Sequence, residues 1–367
     1  MFKDRSIEGK FIVSIVLISL ITLIFGYFTL SWYVQQNKVK AYGQIQKNIT
    51  TKINHQFNTK KLIGLTNAVS IVNDIRIKEA LKTDNRELAI TSLRDLEKKI
   101  KDISPYKNIK IHLHTKDIKS FVRFWRLDKF GDDLSGFRDS LVKVKKTRKE
   151  LTTFDIGKAG LTYRSIIPIL DKDDNYLGSL EIIQGLTSIA KQLDKVDSGF
   201  VLLMDKKKVE VSQFNEDKLF QKNYLISQNF VNDIFIKDAQ NIDLKSIFKD
   251  KYFLTKKFFY THIDIKDYKN KKLGIVLVGT PTNRLNTMLS ASNEIIYMAL
   301  LITISLGIFI ISVMGFILKR FVLNPLHLLE KGLKSFFDYL EDSKKEIHEI
   351  PITSNDEFGK MNENINK

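Results

Sequence analysis

Two uninterrupted apolar runs bracket the chain, Phe11 to Tyr33 and Ile295 to Leu318, with a long and mostly polar stretch between them. Neither run contains Asp, Glu, Lys or Arg, and each is long enough as a helix to cross a hydrocarbon core of about 30 Å. A cleaved signal peptide is the alternative for the first run, but its apolar region would span only about 7 to 15 residues. The first run is longer and ends in Trp32 and Tyr33, an aromatic pair suited to the membrane interface. The sequence therefore predicts two transmembrane helices.

Basic residues flank the two runs on one side of the predicted membrane. Lys3 and Arg5 precede the first run, and Lys319 and Arg320 directly follow the second. Because cytoplasmic flanks carry the excess of Lys and Arg, both ends of the chain are expected in the cytoplasm. Residues 34–290 would then form a periplasmic domain of a protein in the bacterial inner (cytoplasmic) membrane.

A helical spacing of apolar residues continues past the first run. Apolar residues recur every three or four positions between Ile45 and Ile75, and the stretch 34–82 contains no proline. We therefore expect one long helix over 34–82. A second helix is expected from Arg86 to Ile103.

Beyond these helices the apolar spacing changes to a period of two. From Ile109 onward, Ile111 and Leu113 alternate with His112 and His114, which predicts a half-buried strand. Further strands are expected at Leu161–Leu170, Tyr176–Gln184, Gly199–Met204, Val209–Ser212, Lys257–Asp264 and Leu273–Gly279. Helical or irregular segments are expected at Leu186–Leu193, at 213–250 and from Pro281 into the second apolar run. Two antiparallel sheets that carry helices in this way make an α+β domain.

Two nearby segments are distinctive: SFVRFWRLDKFGDDLSGFRDSLVKV from Ser120 and GLTYRSIIPILDKDDNYLGSLEIIQG from Gly160. They resemble the double-Cache family of bacterial extracytoplasmic sensors, and within it the dCache_3-like type. The first resembles a ligand-contacting segment with Arg, one residue and Trp, and the second resembles the strand, tight turn and strand of a Cache core. The resemblance implies two PAS-like modules: the long helix with a membrane-distal module at 34–196, and a membrane-proximal module at 197–282.

The last part of the chain combines two helical patterns with a connector between them. Pro325 begins a stretch with apolar residues spaced three, four, three and four apart, which is typical of a coiled-coil seam between subunits. The seam residues are Leu326, Leu329, Leu333, Phe336 and Leu340. A connector follows, in which Ile350 and Ile352 are expected to be buried, and Asp356 to Gly359 would open a second helix. Together these features resemble a HAMP domain. An amphipathic tail lying on the membrane is the alternative.

The sequence predicts five segments in order along the chain, of which the first and the last are cytoplasmic. They are a cytoplasmic tail at 1–10, a transmembrane helix at 11–33, the double-Cache domain at 34–290, a transmembrane helix at 295–318 and a HAMP domain at 319–367. The sequence stops inside the second HAMP helix, so we expect the output module of the receptor to lie beyond Lys367. A naturally truncated subunit is the alternative. The coiled-coil seam predicts a homodimer.

The segment from Arg123 to Arg138 combines aromatic residues with a few charges, as a pocket for a small polar ligand requires. A guanidinium can hold a carboxylate through two parallel hydrogen bonds, an Asp can hold an ammonium group, and Trp can contact a cation or an apolar stem. The candidate ligand-binding residues are Arg123, Trp125, Arg126, Asp133 and Arg138, with Tyr163, Arg164 and Glu181 on the following strands. Aromatic core packing and solvated surface ion pairs are the alternative.

The expected ligand is a carboxylate, an amino acid or another small anion. In amino-acid-binding Cache domains the resembling pattern ends in Tyr, whereas Arg126 takes that place here, which leaves a small anion equally open. Like charges gathered in one pocket would also favour an anionic ligand, because buried charges are costly without a partner.

The composition narrows the remaining function classes. The chain has no cysteine, so neither disulfides nor thiolate metal sites are expected. The net charge of +17 comes from lysines spread along the whole chain, and no nucleic-acid-binding motif is evident. No catalytic motif or cofactor motif is evident either, so the sequence does not predict an enzyme. His112 and His114 could hold zinc, but no third ligand is apparent, and we expect them to be exposed or pocket-lining.

These patterns together predict the sensory part of a transmembrane chemoreceptor, of the methyl-accepting type. It would bind a small solute and signal through HAMP to cytoplasmic proteins that contact the output module. The sensory half of a histidine kinase or of a diguanylate cyclase is the alternative, and the residues beyond Lys367 would discriminate. A structural or adhesive membrane protein is a third possibility, but it leaves the HAMP pattern unexplained.

Overall fold

The structure is a computed structural model that describes residues 7–103, 110–157, 160–211, 216–341 and 349–367. The chain divides into two compact units. Residues Lys40–Met288 form one unit, here called the central unit. Residues Met1–Val39 and Leu289–Lys367 form the other, here called the terminal unit.

Three helices open the chain. Helix α1 spans Ile7–Val72, through the first apolar run and far beyond it. The predicted continuous helix to residue 82 is wrong at one point, because the extended backbone of Asp74 interrupts it. The Asp74 carboxylate accepts a hydrogen bond from the backbone N–H of Arg76 at 2.8 Å and so caps α2 (Ile75–Lys82). Helix α3 (Arg86–Ile103) is confirmed as predicted.

The first sheet of the central unit has five antiparallel strands in the order β2-β1-β5-β4-β3. Its elements are β1 (Lys110–Thr115), β2 (Ser120–Arg123), α4 (Asp139–Thr147), β3 (Leu151–Gly157), β4 (Gly160–Leu170), β5 (Tyr176–Gln184) and α5 (Thr187–Asp194). The predictions of β1, β4, β5 and α5 are confirmed, although Ile109 lies outside the described residues. The sequence did not reveal β2, α4 or β3.

The two faces of the first sheet differ in chemistry. One face is apolar and packs against the far end of α1 and against α2 and α3, through residues such as Ile71, Ile77 and Leu93. The opposite face lies under α4, whose Leu141 and Val144 pack together near one edge. The middle of that second face is polar.

The second sheet has six antiparallel strands in the order β7-β8-β6-β11-β10-β9. Its elements are β6 (Gly199–Asp205), β7 (Leu219–Phe220), β8 (Tyr224–Ile226), α6 (Asp233–Ala239), α7 (Leu244–Asp250), β9 (Tyr252–Leu254), β10 (Phe258–Lys266) and β11 (Lys272–Pro281). The predictions of β6, β10 and β11 are confirmed. One face packs on α1 through Ile53 and Phe57, in a cluster that also contains Phe154 and Tyr163 of the first sheet.

One predicted strand, Val209–Ser212, is wrong. Residues Lys206–Val211 form a 3-10 helix instead, and Ser212 lies outside the described residues. In the sheet, β6 is flanked on its two sides by β8 and β11, so neither edge of β6 is free to pair with the residues that follow it. The chain turns sharply after β6, because the Asp205 carboxylate accepts a hydrogen bond from the backbone N–H of Lys207 at 2.9 Å.

Helix α8 (Thr282–Leu318) runs through the second apolar run, as predicted. A π-helical turn at Lys319–Leu323 leads into α9 (Asn324–Glu341), and α10 (Glu357–Asn366) follows. Within the described residues, two helical segments are long and apolar enough to cross a membrane, judged by length and composition alone: Gly9–Val72 and Tyr297–Glu341.

The connector between α9 and α10 is held by one buried aliphatic residue. Ile350 is buried, and its side chain lies directly over Gly332 of α9, where a Cβ atom would collide with it. Asn366 of α10 exchanges two hydrogen bonds with the backbone of Ile350, at 2.9 and 2.8 Å. The Asp356 carboxylate caps α10, as predicted, whereas Ile352 is exposed.

Candidate ligand-binding site

The polar face of the first sheet brings together side chains from four strands. His112 of β1 lies directly opposite Glu181 of β5 on one side and opposite Arg123 of β2 on the other. His114 follows on the same face of β1, because alternate residues of a strand point the same way. Arg164 of β4 lies near the same row. Cross-strand pairing therefore creates the site from residues far apart in sequence.

Glu181 is the centre of this polar row. It is fully buried, and its Oε1 atom accepts a hydrogen bond from Nη1 of Arg164 at 2.9 Å and another from Nη2 of Arg138. Arg138 reaches the sheet from the residue that precedes α4. Burial alone raises the pKa of Glu181, but the charges of Arg138 and Arg164 and the contact with His112 outweigh it and hold that pKa well below its ordinary value. Glu181 is therefore ionised at neutral pH.

A second carboxylate balances the second guanidinium. Arg138 donates from Nε to Oδ2 of Asp155 at 3.2 Å, and the Ser140 hydroxyl donates to the same oxygen at 2.8 Å. The cluster thus holds two guanidinium groups and two carboxylates, with no excess charge among these four. The expectation that the arginines need an anionic ligand is therefore wrong for Arg138 and Arg164, since Asp155 and Glu181 already neutralise them.

The histidine pair completes the buried network. Nε2 of His114 lies 3.0 Å from Nδ1 of His112, and the two rings meet edge to face. Each ring also contacts a serine hydroxyl: His112 Nε2 lies 2.8 Å from Ser120 Oγ, and His114 Nδ1 lies 3.0 Å from Ser179 Oγ. Burial lowers the pKa of both histidines, and for His114 the neighbouring His112 lowers it further. Both histidines are buried, so the strand is buried on both faces here. The prediction of a half-buried strand with exposed or pocket-lining histidines is therefore wrong.

Arg123 and Trp125 form the outer edge of the site. The Arg123 guanidinium holds the Asp132 carboxylate through two parallel bonds of 2.6 Å each, and it also donates to the Lys129 carbonyl at 3.0 Å. Trp125 is 40% exposed, and its ring meets His112 edge to face at 5.6 Å. These residues offer a half-open surface above the buried cluster.

Three predicted residues lie apart from this cluster. Arg126 is exposed and lies 3.6 Å from Asp128. Asp133 is exposed, and its carboxylate accepts a hydrogen bond from the Ser135 backbone N–H at 2.8 Å. Tyr163 points to the opposite face from Arg164, packs on Phe154 within the apolar cluster, and burial raises its pKa to about 12. Five of the eight candidate residues therefore lie together, because each is a neighbour of Glu181 or of His112. They are Arg123, Trp125, Arg138, Arg164 and Glu181.

A glycine makes room for one of the two buried guanidinium groups. A Cβ atom at Gly157 of β3 would collide with Nη2 of Arg164. Any larger residue at this position would displace the Arg164 guanidinium from the place where it lies against the backbone of β3.

Sequence reasoning missed Asp155 and left the roles of His112 and His114 open. The signal for the histidines was present, because two His residues at alternate positions of a strand must share a face. Their third neighbour, Glu181, depends on the pairing of β1 with β5, which the local pattern does not encode.

Two antiparallel sheets carried on one long helix, with a buried polar cluster on the first sheet, define a double sensory domain. A family model described as the double sensory domain of two-component sensor kinases, dCache_3, matches residues 42–284. The chain belongs to this family, which confirms the double-Cache resemblance. Among curated proteins, no sequence matches the chain.

Solved structures with similar folds include sensor domains of two kinds of receptor. The sensor domain of the Vibrio cholerae histidine kinase DctB is 14% identical, with 65% of this chain and 98% of that chain covered and a TM-score of 0.38. The sensory domain of the Campylobacter jejuni chemoreceptor Tlp3, solved with isoleucine bound, is 13% identical, with 71% and 98% covered and a TM-score of 0.39.

Proposed function

We propose that the chain is the sensory and membrane-spanning part of a bacterial chemoreceptor that binds a small solute outside the cytoplasm. One observation carries the proposal. The double sensory domain at 42–284 lies along the chain between the apolar runs at 11–33 and 295–318, and each run belongs to a helix that is long and apolar enough to cross a membrane. The segments at 11–33 and 295–318 would cross the inner membrane, with residues 34–290 in the periplasm.

The solute would bind at the outer edge of the polar cluster of the first sheet. Trp125 is exposed enough to contact a ligand, and Arg123 offers a planar fork that now holds Asp132. The buried charges of Arg138, Arg164 and Glu181 would form the floor and fix the shape of the site. A small molecule with a carboxylate group, such as an amino acid or an organic acid, suits this combination, because Arg123 could exchange Asp132 for the carboxylate of the ligand.

Signal transmission would pass through α8 to α9 and α10. The apolar seam of α9, the buried connector residue Ile350 and the Asp356 cap of α10 support a HAMP domain at 319–367. A HAMP domain would join two copies of the chain in a homodimer, whose output module would contact cytoplasmic signalling proteins.

A histidine kinase is the second candidate, and the family description favours it, since it names two-component sensor kinases. Both candidates share the sensory mechanism proposed above. The protein sequence that follows Lys367 in the gene would decide between a methylated helical bundle, a kinase and a cyclase.

A ligand screen on the full chain in lipid nanodiscs tests the sensory function. Thermal unfolding would be followed by the fluorescence of Trp125 in a Trp32→Phe variant, since these are the two tryptophans of the chain. A ligand that binds only the folded domain stabilises it by about 2.7 kcal/mol at a hundredfold excess over its Kd. We expect an amino acid or an organic acid to raise the unfolding temperature.

A reporter fusion tests the topology independently of the ligand. Lys172 is exposed in the turn between β4 and β5, and exposed turns with polar residues are the sites where insertions are generally tolerated. Alkaline phosphatase fused there should be active, as expected of a periplasmic position. Activity of a cytoplasmic reporter at Lys172 would contradict the proposed function whatever the ligand screen shows.

A further inference from the structure

Three potential metal ligands converge on one buried point of the first sheet. Their donor atoms are Nδ1 of His112, Nε2 of His114 and Oε2 of Glu181. These atoms are separated by 3.0 Å between the two nitrogens, and by 3.5 and 3.8 Å from each nitrogen to the carboxylate oxygen. The ligands of a tetrahedral zinc ion, bound at about 2.0 to 2.2 Å, lie about 3.4 Å from one another. The observed separations bracket that value.

The outer contacts of the three side chains are those that metal ligands require. Each histidine faces a serine hydroxyl with the nitrogen that points away from the convergence, His112 with Ser120 and His114 with Ser179. A serine hydroxyl can accept a proton from the outward nitrogen, and in that tautomer the inward nitrogen carries the lone pair that binds a metal. Glu181 is oriented in the same way, because its other oxygen, Oε1, takes the bonds from Arg138 and Arg164.

The inward oxygen of Glu181 has only long contacts among those of the cluster. Oε2 accepts a hydrogen bond from Nη1 of Arg138 at 3.5 Å, and it lies 3.5 Å from Nδ1 of His112 and 3.8 Å from Nε2 of His114. These distances are long for hydrogen bonds to a carboxylate that is fully buried. A buried polar atom without a close partner costs free energy, and a bound cation would remove that cost.

From this geometry we propose that His112, His114 and Glu181 form a binding site for a divalent transition-metal ion, with zinc as the best fit. Two imidazoles and one carboxylate are a ligand set that zinc favours, and such a set leaves a fourth position open. The ligands lie on the adjacent strands β1 and β5, so the sheet holds them in place before the ion arrives.

The charge of the surroundings indicates what fills the fourth position. Arg138 and Arg164 balance Glu181 and Asp155, so a zinc ion adds two positive charges to a buried and otherwise balanced cluster. A buried excess charge requires a partner of opposite sign. The fourth ligand is therefore an anion, either hydroxide or the carboxylate of a small solute.

Metal analysis of the full chain in nanodiscs, free of any histidine tag, tests the site. We expect one zinc per chain after dialysis, its removal by EDTA, and a lower unfolding temperature in the stripped protein. His114→Gln should weaken zinc binding at least about tenfold, since even an outer-shell partner of a metal ligand contributes that much. Cobalt in place of zinc should give the visible absorption of a tetrahedral nitrogen and oxygen site in the wild type and not in His114→Gln.

Two further variants separate a built site from adventitious binding. Arg164→Met keeps all three ligands but removes one of the hydrogen bonds that orient Glu181 through Oε1, so it should weaken zinc binding about tenfold. His262→Gln is the matched control, because His262 of β10 also lies near a carboxylate, 3.9 Å from Asp264, and is not one of the three ligands. It should leave zinc binding unchanged.

The tests of the metal site and of the proposed sensory function are independent of each other. Zinc binding that is equal in the wild type, His114→Gln and Arg164→Met chains would overturn the metal site and leave solute binding untouched. Should His114→Gln fail to fold, His112→Gln and the Arg164→Met comparison carry the same test. Absence of zinc and of the cobalt spectrum in a folded wild type would also overturn the proposal.

Discussion

Arg138 and Arg164 donate hydrogen bonds to the same atom, Oε1 of Glu181, although one precedes helix α4 and the other lies on strand β4. A single buried carboxylate therefore ties a helix to the sheet beneath it. Because both guanidinium groups are almost fully buried, neither can turn to water if the carboxylate is lost. The stability of the first sheet depends on this shared contact.

Glu181→Gln should strongly destabilise the central unit. The neutral amide leaves two buried guanidinium groups with one carboxylate, Asp155, and the loss of one partner from a buried ion pair costs about 3 to 5 kcal/mol. Urea unfolding, followed by Trp125 fluorescence in the Trp32→Phe chain, measures the change. Asp128→Asn is the control, because Asp128 is exposed and its ion pair with Arg126 contributes little. An equal effect of both substitutions would show that Glu181 is not a structural centre.

The stability of the central unit should also fall as the pH drops below about 6.5. Burial lowers the pKa of His112 and His114 in the folded state, so the unfolded chain binds more protons between that folded pKa and the ordinary value near 6.5. Each such histidine contributes a slope of about 1.4 kcal/mol per pH unit in this window. The pKa of Glu181 is lowered, so its contribution is complete above its ordinary value and is lost as the pH falls through its folded pKa.

Urea midpoints between pH 7.5 and 4.5, in the presence of EDTA, measure this dependence. His114→Gln should make the urea midpoint depend less on pH between pH 6.5 and 5, because the variant lacks a histidine whose pKa is lowered by folding. His55→Gln changes an exposed side chain on α1 and should leave the slope as in the wild type. A wild-type midpoint that stays constant over this range would contradict the buried, neutral state of the pair.

The sequence predicted the elements that a strong local period determines. Strands β4 and β5 follow from their apolar content and from the turn between them, in which the Asp171 carboxylate accepts backbone hydrogen bonds from Asp173 and Asn175, both at 2.9 Å. Strand β3 escaped prediction because polar residues such as Thr153 and Asp155 face the buried cluster, so its pattern does not look like a core strand.

The candidate site was only partly predictable for the same physical reason. Residue types near Arg123 indicated a polar pocket, but the partners of each charge depend on strand register. Arg138 meets Glu181 only because β5 lies in the middle of the sheet beneath α4. Tyr163 and Arg164 are adjacent in sequence, and the strand therefore directs them to opposite faces.

The apolar seam of α9 should mediate contact between two copies of the chain. Cysteines at Leu329 or Phe336 should form crosslinks in membranes, since both positions belong to the seam, whereas a cysteine at Glu330 should crosslink poorly. The Glu330 side chain is 75% exposed and lies 3.5 Å from His327, away from the seam spacing. Oxidation of the three variants followed by denaturing electrophoresis measures the difference. Equal crosslinking at all three positions would argue against a coiled coil.

Substitution of Arg123 should separate ligand binding from folding. Arg123 donates two bonds to Asp132 at the half-open edge of the site, and its loss leaves a carboxylate that is already 39% exposed, so we expect little loss of stability. Loss of a charge-assisted contact to a ligand carboxylate costs about 2 to 5 kcal/mol, which is at least tenfold in affinity. Arg123→Ala should therefore bind an amino acid or organic acid at least tenfold more weakly than the wild type.

The companion variants identify the chemistry of that contact. Arg123→Lys should also bind poorly, because an ammonium group lacks the planar fork of a guanidinium. Arg126→Ala removes an equally charged but exposed neighbour and should leave the Kd almost unchanged. Calorimetric titration of each folded variant with the ligand from the screen gives the affinities. If Arg123→Ala and Trp125→Ala both keep the wild-type Kd, the solute binds elsewhere, and the second sheet becomes the next place to test.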